Sequence, residues 1–353
     1  MSGTGPAPSQ AEVLDLAESA GVYLSAYLRP FRPWLDRDDV SEVIFNRSGE
    51  LWIEEAGTLH LQRVEAPQVD DLLIRRLAEQ VARVTHQGIS RERPLLAATL
   101  PDGARVQFVS PPATRSGWAM AIRRHRLVDL PLSAYASRTR ADPAETMAIA
   151  QDEDPIAYLR QAVADRRTIL VSGGTSSGKT TFLNALLREV PPAERVILIE
   201  DTPEIRLQSP AGLGLVAVKG ELGEARVSTD DLLQASLRLR PDRIVLGELR
   251  GTEAVSFLRA INTGHPGSFS TIHANNPRGA LEQLGLMVMQ AGLGLTRADT
   301  LAYACSVIDV IVQLDRRGGE RAIAEIHDLR AEMTDDLVTV SRISENNPRP
   351  LSR

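Results

Sequence analysis

The stretch RTILVSGGTSSGKTTFLNALLREV, residues 167–190, decides the fold. Its opening, RTILVSGG, is a short apolar run of strand length. Its second part, GKTTFLNALLREV, carries apolar residues at helical spacing and stops at Pro191-Pro192. Between them GGTSSGKT, residues 173–180, has the pattern Gly, any four residues, Gly-Lys-Thr. Gly173 and Gly178 let the backbone turn its N–H groups toward one anion, and the helix after them aims its positive end at the same point. In this loop Gly173, Thr175, Ser176, Ser177, Gly178, Lys179, Thr180 and Thr181 are the candidate phosphate-binding residues. Lys179 reaches the β and γ phosphates of a nucleotide, and the Thr180 hydroxyl is placed to ligate Mg²⁺.

The pattern downstream alternates. RVILIEDT is a strand, and STDDLLQASLRLR is a helix with Ser228 as N-cap, stopped by Pro241. RIVLGE is a strand, GTEAVSFLRAINT a helix and SFSTIHA a strand. Short all-apolar strands between helices predict an α/β fold whose parallel sheet is covered on both faces. SVIDVIVQLDRRGGERAIAEIHDLR closes the region as a hairpin turned at Gly318-Gly319.

A phosphate loop needs acidic groups near the terminal phosphate. RIVLGE, residues 243–248, ends on Glu248, with Gly247 at the position where an Asp is usual. Glu248 would orient or deprotonate the attacking water, or hold Mg²⁺ through a water. LIEDTPEI, residues 198–205, adds Glu200, Asp201 and Glu204 after another buried strand. Carboxylates at the C-terminal edge of a parallel sheet face the ligand crevice, where Glu200 could tune Mg²⁺ or bind the ribose side.

NTGHPGSFSTIHANN, residues 262–276, carries His265 in a loop and His273 on a strand. Their eight-residue spacing, with Pro266 and Gly267 between, offers no compact metal-ligand set. The expected role is a switch: these residues bond the γ phosphate or its neighbours and lose that contact after hydrolysis.

The first half differs in character. Residues 11–28 read as a helix, 41–64 as a small antiparallel meander, 71–84 as an amphipathic helix, and 95–110 as a hairpin turned at Asp102-Gly103. WAMAIRRH adds a strand. The expected organisation is therefore a disordered segment 1–10, an α+β N-terminal domain 11–126, a linker 127–154, a RecA-like P-loop ATPase domain 155–335 and a tail 336–353. The net charge of −6 weighs against a dedicated nucleic-acid binder, so no sequence-specific nucleic-acid binding is expected. A single cysteine, Cys305, excludes an internal disulfide and a four-cysteine zinc element, and fits a reducing compartment. The first residues lack the basic and apolar regions of a signal peptide, and no apolar run is long enough to span a membrane.

In series, GGTSSGKTTFLNAL, IEDTPEI, LRLRPDRIVLGELRGTEA and NTGHPGSFSTIHANNP resemble the secretion-superfamily ATPases, specifically the traffic ATPases of type IV secretion systems. PLLAATLPDGARVQFVSPPA and AIRRH extend the resemblance into the first half, from about residue 30 to 330. It implies an ATP-hydrolysing, Mg²⁺-dependent homohexamer, cytoplasmic and peripheral to the inner membrane, with secretion-channel subunits and coupling ATPases as partners. It also implies that Glu248 is the Walker B carboxylate, that Glu200 belongs to an aspartate box, and that His265 and His273 belong to a histidine box. By the same resemblance Arg105 and Arg123 reach the nucleotide phosphates from the N-terminal domain. Arg238 and Arg240 are candidates for contacts across a ring interface. The missing zinc element separates the chain from type II secretion and type IV pilus ATPases, and leaves the tight-adherence branch as the alternative. A DNA-acting RecA-like motor is a more distant one.

Overall fold

The structure, a computed structural model, describes residues 23–55, 58, 60–124, 130–138, 154–175, 177–219, 226–317 and 320–330. The expected disordered start, the first part of the 11–28 helix, the C-terminal tail, Ser176, the Gly318-Gly319 turn and most of the expected linker lie outside these residues. The chain divides into two compact units, residues 1–126 with 219–226, and residues 127–218 with 227–353.

The first unit begins with helical residues 23–28 (α1) and a short helix α2, Arg32–Leu35. Six antiparallel strands come next: β1 Val40–Phe45, β2 Gly49–Glu55, β3 Gln62–Ala66, β4 Leu95–Thr99, β5 Arg105–Val109 and β6 Ala119–Arg123, in the order β3-β2-β1-β6-β5-β4. Helix α3, Asp71–Val84, starts where the Asp70 side chain accepts the Leu73 N–H. Its Ile74, Leu77, Ala78 and Val81 recur at helical spacing and are buried in one core with Val43, Phe45, Ile53, Phe108 and Ile122. Gly103, with φ of 85°, makes the expected tight turn between β4 and β5.

The second unit is built on a seven-stranded sheet. Its strands are β7 Ile169–Gly173, β8 Val196–Glu200, β9 Leu213–Val216, β12 Arg243–Leu249, β13 Phe269–Ile272, β14 Val310–Arg317 and β15 Glu320–Asp328, ordered β15-β14-β7-β13-β12-β8-β9. Two-residue strands β10, Val218–Lys219, and β11, Arg226–Val227, pair separately. All neighbours in the large sheet are parallel except the β14–β15 hairpin. Alternate strand residues feed two cores. Ile169, Val171, Leu198 and Val245 pack with α4 (Pro155–Ala164) and α5 (Lys179–Arg188). Leu170, Ile197, Ile199 and Leu246 pack with α6 (Thr229–Ser236), α7 (Glu253–Asn262), α8 (Pro277–Gln290) and α9 (Arg297–Val307). Both faces are covered, which is why these strands carry apolar residues without alternation. Ser228 caps α6 as expected, in a reciprocal capping box with Asp231.

The stretch expected to be a linker contributes to this core. Leu132 and Tyr135 are buried, and the Tyr135 ring meets Phe182 edge-on at 4.9 Å. A buried aromatic pair of this kind adds about 1 kcal/mol beyond its area, so residues 130–138 are part of the unit rather than a tether. Arg243 is wholly buried at the start of β12. Its Nε donates to Glu194 at 2.6 Å, and its remaining N–H groups reach the carbonyls of Gly267 and Val163. A Cβ on Gly267 would lie 2.5 Å from the Arg243 guanidinium.

Candidate nucleotide site

Strand direction assembles the site. β7, β13, β12 and β8 are adjacent and parallel, so their C-terminal ends gather at one edge. The phosphate loop leaves the end of β7, His273 lies just past β13, Glu248 lies at the end of β12, and Glu200 ends β8. Residues far apart in the chain thus meet because the sheet is parallel.

The loop itself has the geometry of an anion cradle. Gly178 caps α5 with φ of 93°, a left-handed conformation that suits glycine. A Cβ on Gly173 would sit 2.3 Å from Ser177 Oγ and 3.1 Å from the Leu314 carbonyl, so no side chain fits there. Lys179 Nζ donates to the Gly173 and Gly174 carbonyls at 2.9 and 3.2 Å, folding its ammonium over the loop. Ser177 is 3% exposed, and its Oγ finds no hydrogen-bond partner among the described residues. A buried hydroxyl without a partner is costly unless something polar occupies the cradle. These features fit a bound phosphate group.

Opposite the loop, β12 carries one extra residue relative to β13: Leu246 pairs with Ser270 and Leu249 with Ile272. This bulge spans Gly247 and Glu248 and re-aims the carboxylate, a common use of bulges beside sites. Thr271 Oγ1 and Ser270 Oγ donate to the Gly247 and Leu246 carbonyls, pinning it. Glu248 Oε1 is 3.9 Å from Lys179 Nζ, whereas Glu248 Oε2 is held at 2.5 Å by Arg250 Nη2. Arg250 also reaches Asp201 at 3.6 Å. Burial works against its charge, but Glu248, Asp201 and Glu204 outweigh that and push its pKa up.

Glu200 is 6% exposed. Its Oε1 accepts the N–H groups of both Glu204 and Ile205 at 2.9 Å. It therefore folds the segment after β8 back on itself, and Glu204 Oε2 then lies 3.4 Å from Thr180 Oγ1. A Cβ on Gly247 would lie 3.4 Å from Glu200 Cγ. Gly247, where an Asp is usual, thus lies beside the Glu200 side chain.

The other expected residues are spread more widely. Thr175 and Thr181 lie in the loop and the first turn of α5. His273 is exposed just past the end of β13, not within the strand. His265 precedes β13 and so lies at the opposite edge of the sheet, where its Nδ1 is 2.8 Å from the Ala260 carbonyl. The structure does not bring it to the phosphate loop. Arg238 and Arg240 are exposed beyond α6, also on the approach to a strand start, with Arg240 at φ of 54°. In the first unit Arg105 and Arg123 face each other across β5 and β6, and Arg123 lies 3.6 Å from Glu42. Two residues at the site have no counterpart among the expectations. Arg250 had a signal, since it lies two residues beyond Glu248 on the same exit. Arg321, whose Nη1 donates to Thr181 Oγ1 at 3.2 Å, had none, being 140 residues away.

Comparison with known proteins agrees with this architecture. The family model Type II/IV secretion system protein matches residues 28–334. The chain is 40% identical over 334 residues to the type IV secretion system protein PtlH of Bordetella pertussis, covering 89% of this chain and 97% of that one. It is 35% identical over 326 residues to VirB11 of Bartonella quintana, covering 85% and 91%. Its fold is shared with the solved pilus retraction motor PilT with bound ADP, at 18% identity, a TM-score of 0.58, and coverage of 91% and 89%. The fold and site thus define a secretion ATPase. The chain belongs to the Type II/IV secretion system protein family, on its type IV secretion side with PtlH and VirB11, and it is a nucleotide-binding enzyme that hydrolyses ATP to drive secretion.

Proposed function

We propose that ATP is cleaved at the edge shared by β7, β13, β12 and β8, with Glu248 as the group that acts on water. The observation that carries this is the convergence of Lys179, Glu248 and His273 on one sheet edge, at or just beyond the ends of β7, β12 and β13. On binding, the Lys179 ammonium exchanges the Gly173 and Gly174 carbonyls for the β and γ phosphates. Thr180 Oγ1, with Glu248 and Glu204 nearby, would hold Mg²⁺, which when bound neutralises phosphate charge. Glu248 orients the water and accepts its proton as the oxygen bonds to phosphorus, while the bond to the ADP oxygen breaks. His273, at the β13 exit, hydrogen-bonds the terminal phosphate and loses that contact once phosphate departs. Glu200 acts through the loop it folds, as a positioning residue.

We assign the active form as a homohexamer, cytoplasmic and peripheral to the inner membrane, working with secretion-channel subunits and coupling ATPases. The family and the type IV secretion relatives support this, and no helix among the described residues is long and apolar enough to cross a membrane. Arg238 and Arg240, exposed beyond α6, are candidates for contacts across such a ring.

The test is phosphate release by the purified chain with and without Mg²⁺, beside particle mass with and without ATP. Lys179→Ala should lose nucleotide binding. Glu248→Gln should bind ATP but turn it over about 10²- to 10⁴-fold more slowly. Turnover by Glu248→Gln at the wild-type rate would remove Glu248 from the role assigned here.

A further inference from the structure

We propose that Arg321 is a nucleotide-binding residue that grips the α-phosphate, supplied to the site by the β14–β15 hairpin. The inference rests on nucleotide occupying the phosphate loop in the reaction proposed for this chain.

Topology brings Arg321 there. β14 runs parallel to β7, with Leu314 opposite Gly173, so the end of β14 lies beside the start of the phosphate loop. β15 returns antiparallel, with Ala322 opposite Asp315, which sets Arg321 at the same edge. The side chain then lies across the loop. A Cβ on Gly178 would be 2.5 Å from Arg321 Cδ and 3.1 Å from its Nε. At its tip, Nη1 donates to Thr181 Oγ1 at 3.2 Å. The absence of a side chain at Gly178 therefore has two uses, the left-handed turn and passage for Arg321.

The first turn of α5 carries the positive end of a helix and Lys179, and Arg321 adds a further positive group beside the anion cradle. Ser177, buried and without a partner among the described residues, marks the same cradle as polar and incomplete.

Sheet order says which phosphate. Glu248, which faces the terminal phosphate, is on β12, two strands from β7 on one side. Arg321 is on β15, two strands from β7 on the other. A triphosphate lying over the loop with its γ end toward Glu248 has its α end toward Arg321. Thr181, which Arg321 contacts, comes one residue after the Mg²⁺-side Thr180. A fixed positive charge suits a phosphate there.

The test is equilibrium binding of fluorescent ADP and of unlabelled ATP by competition, with wild type, Lys179→Ala, Arg321→Gln and Arg321→Lys. Thermal midpoints are measured without nucleotide. Arg321→Gln should weaken ADP and ATP by the same factor, about tenfold or more, with its nucleotide-free midpoint unchanged. Arg321→Lys should stay within about threefold of wild type. Tripolyphosphate competition should weaken alongside. Unchanged ADP affinity in Arg321→Gln, or a loss confined to ATP, overturns the proposal. So does an equal loss in Arg321→Lys accompanied by a lowered midpoint, since packing and not charge would then be at stake. If Lys179→Ala also binds normally, the site assignment itself fails. If only Arg321→Gln does, the failure belongs to this inference alone.

Discussion

Arg250, not Lys179, holds Glu248: the guanidinium is 2.5 Å from Oε2, while the ammonium is 3.9 Å from Oε1. The carboxylate is therefore kept off the phosphate-binding cation by a second cation two residues along the chain. Arg250→Ala should release Glu248 toward Lys179, lowering kcat about tenfold while nucleotide affinity moves less than threefold. Steady-state kinetics with a direct binding measurement separates the two. A fall in affinity with kcat intact would count against a positioning role.

The two histidines should part company. His273→Ala should bind ATP normally but lose most turnover, because it stands at the β13 exit. His265→Ala should retain turnover within about threefold and cost about 1 kcal/mol of stability, the worth of one hydrogen bond, here to the Ala260 carbonyl. Denaturant unfolding and phosphate release on both variants check this, and equal loss of turnover in both would contradict it.

Glu200→Ala should destabilise the second unit by about 2 kcal/mol or more, since two backbone N–H groups lose a charged acceptor. Glu200→Gln keeps one acceptor oxygen, so its effect should be under about half of that. Both variants should lower kcat through displacement of Glu204 from Thr180. If Glu200→Gln is as inactive as Glu248→Gln while fully stable, the residue has a more direct part than the one assigned.

Stability should fall on acidification through Glu194. Burial alone would raise its pKa, but the Arg243 hydrogen bond and charge, with Arg166, outweigh that and hold it below the usual carboxylate value. A lowered folded-state pKa gives stability that is present above the unfolded value, about 4.3, and lost as pH falls through the folded one. Glu194→Gln should flatten that part of the profile in urea titrations from pH 7 to 3. It should also cost about 3 kcal/mol at pH 7, because Arg243 stays buried beside a neutral partner. A parallel profile for the variant would assign the acid sensitivity elsewhere.

Much of this site was legible because its parts are local. Gly173, Gly178 and Lys179 carry a backbone requirement, and apolar strands between helices imply a parallel sheet. The parts that escaped depended on where chains cross. Glu200 reads as one more acidic residue at a strand end, and only the positions of the Glu204 and Ile205 N–H groups make it a loop anchor. The placement of His265 was within reach: a residue before a parallel strand lies at the opposite edge from one after it. Motif proximity to His273 obscured that rule. Leu132 and Tyr135 read as linker because the scattered apolar residues of 127–138 show no period, although both are buried.

The central strand of the nucleotide site waits for its neighbours. β7 is flanked by β13 and β14, whose paired residues Phe269 and Val310 lie 100 and 141 positions beyond Ile169. At roughly 5–20 residues per second, a ribosome needs on the order of 7–28 s after making Ile169 to supply the second flank. During that interval the phosphate loop has no completed sheet beneath it. The sheet edge that carries the loop is therefore completed only after the β14–β15 hairpin has been made.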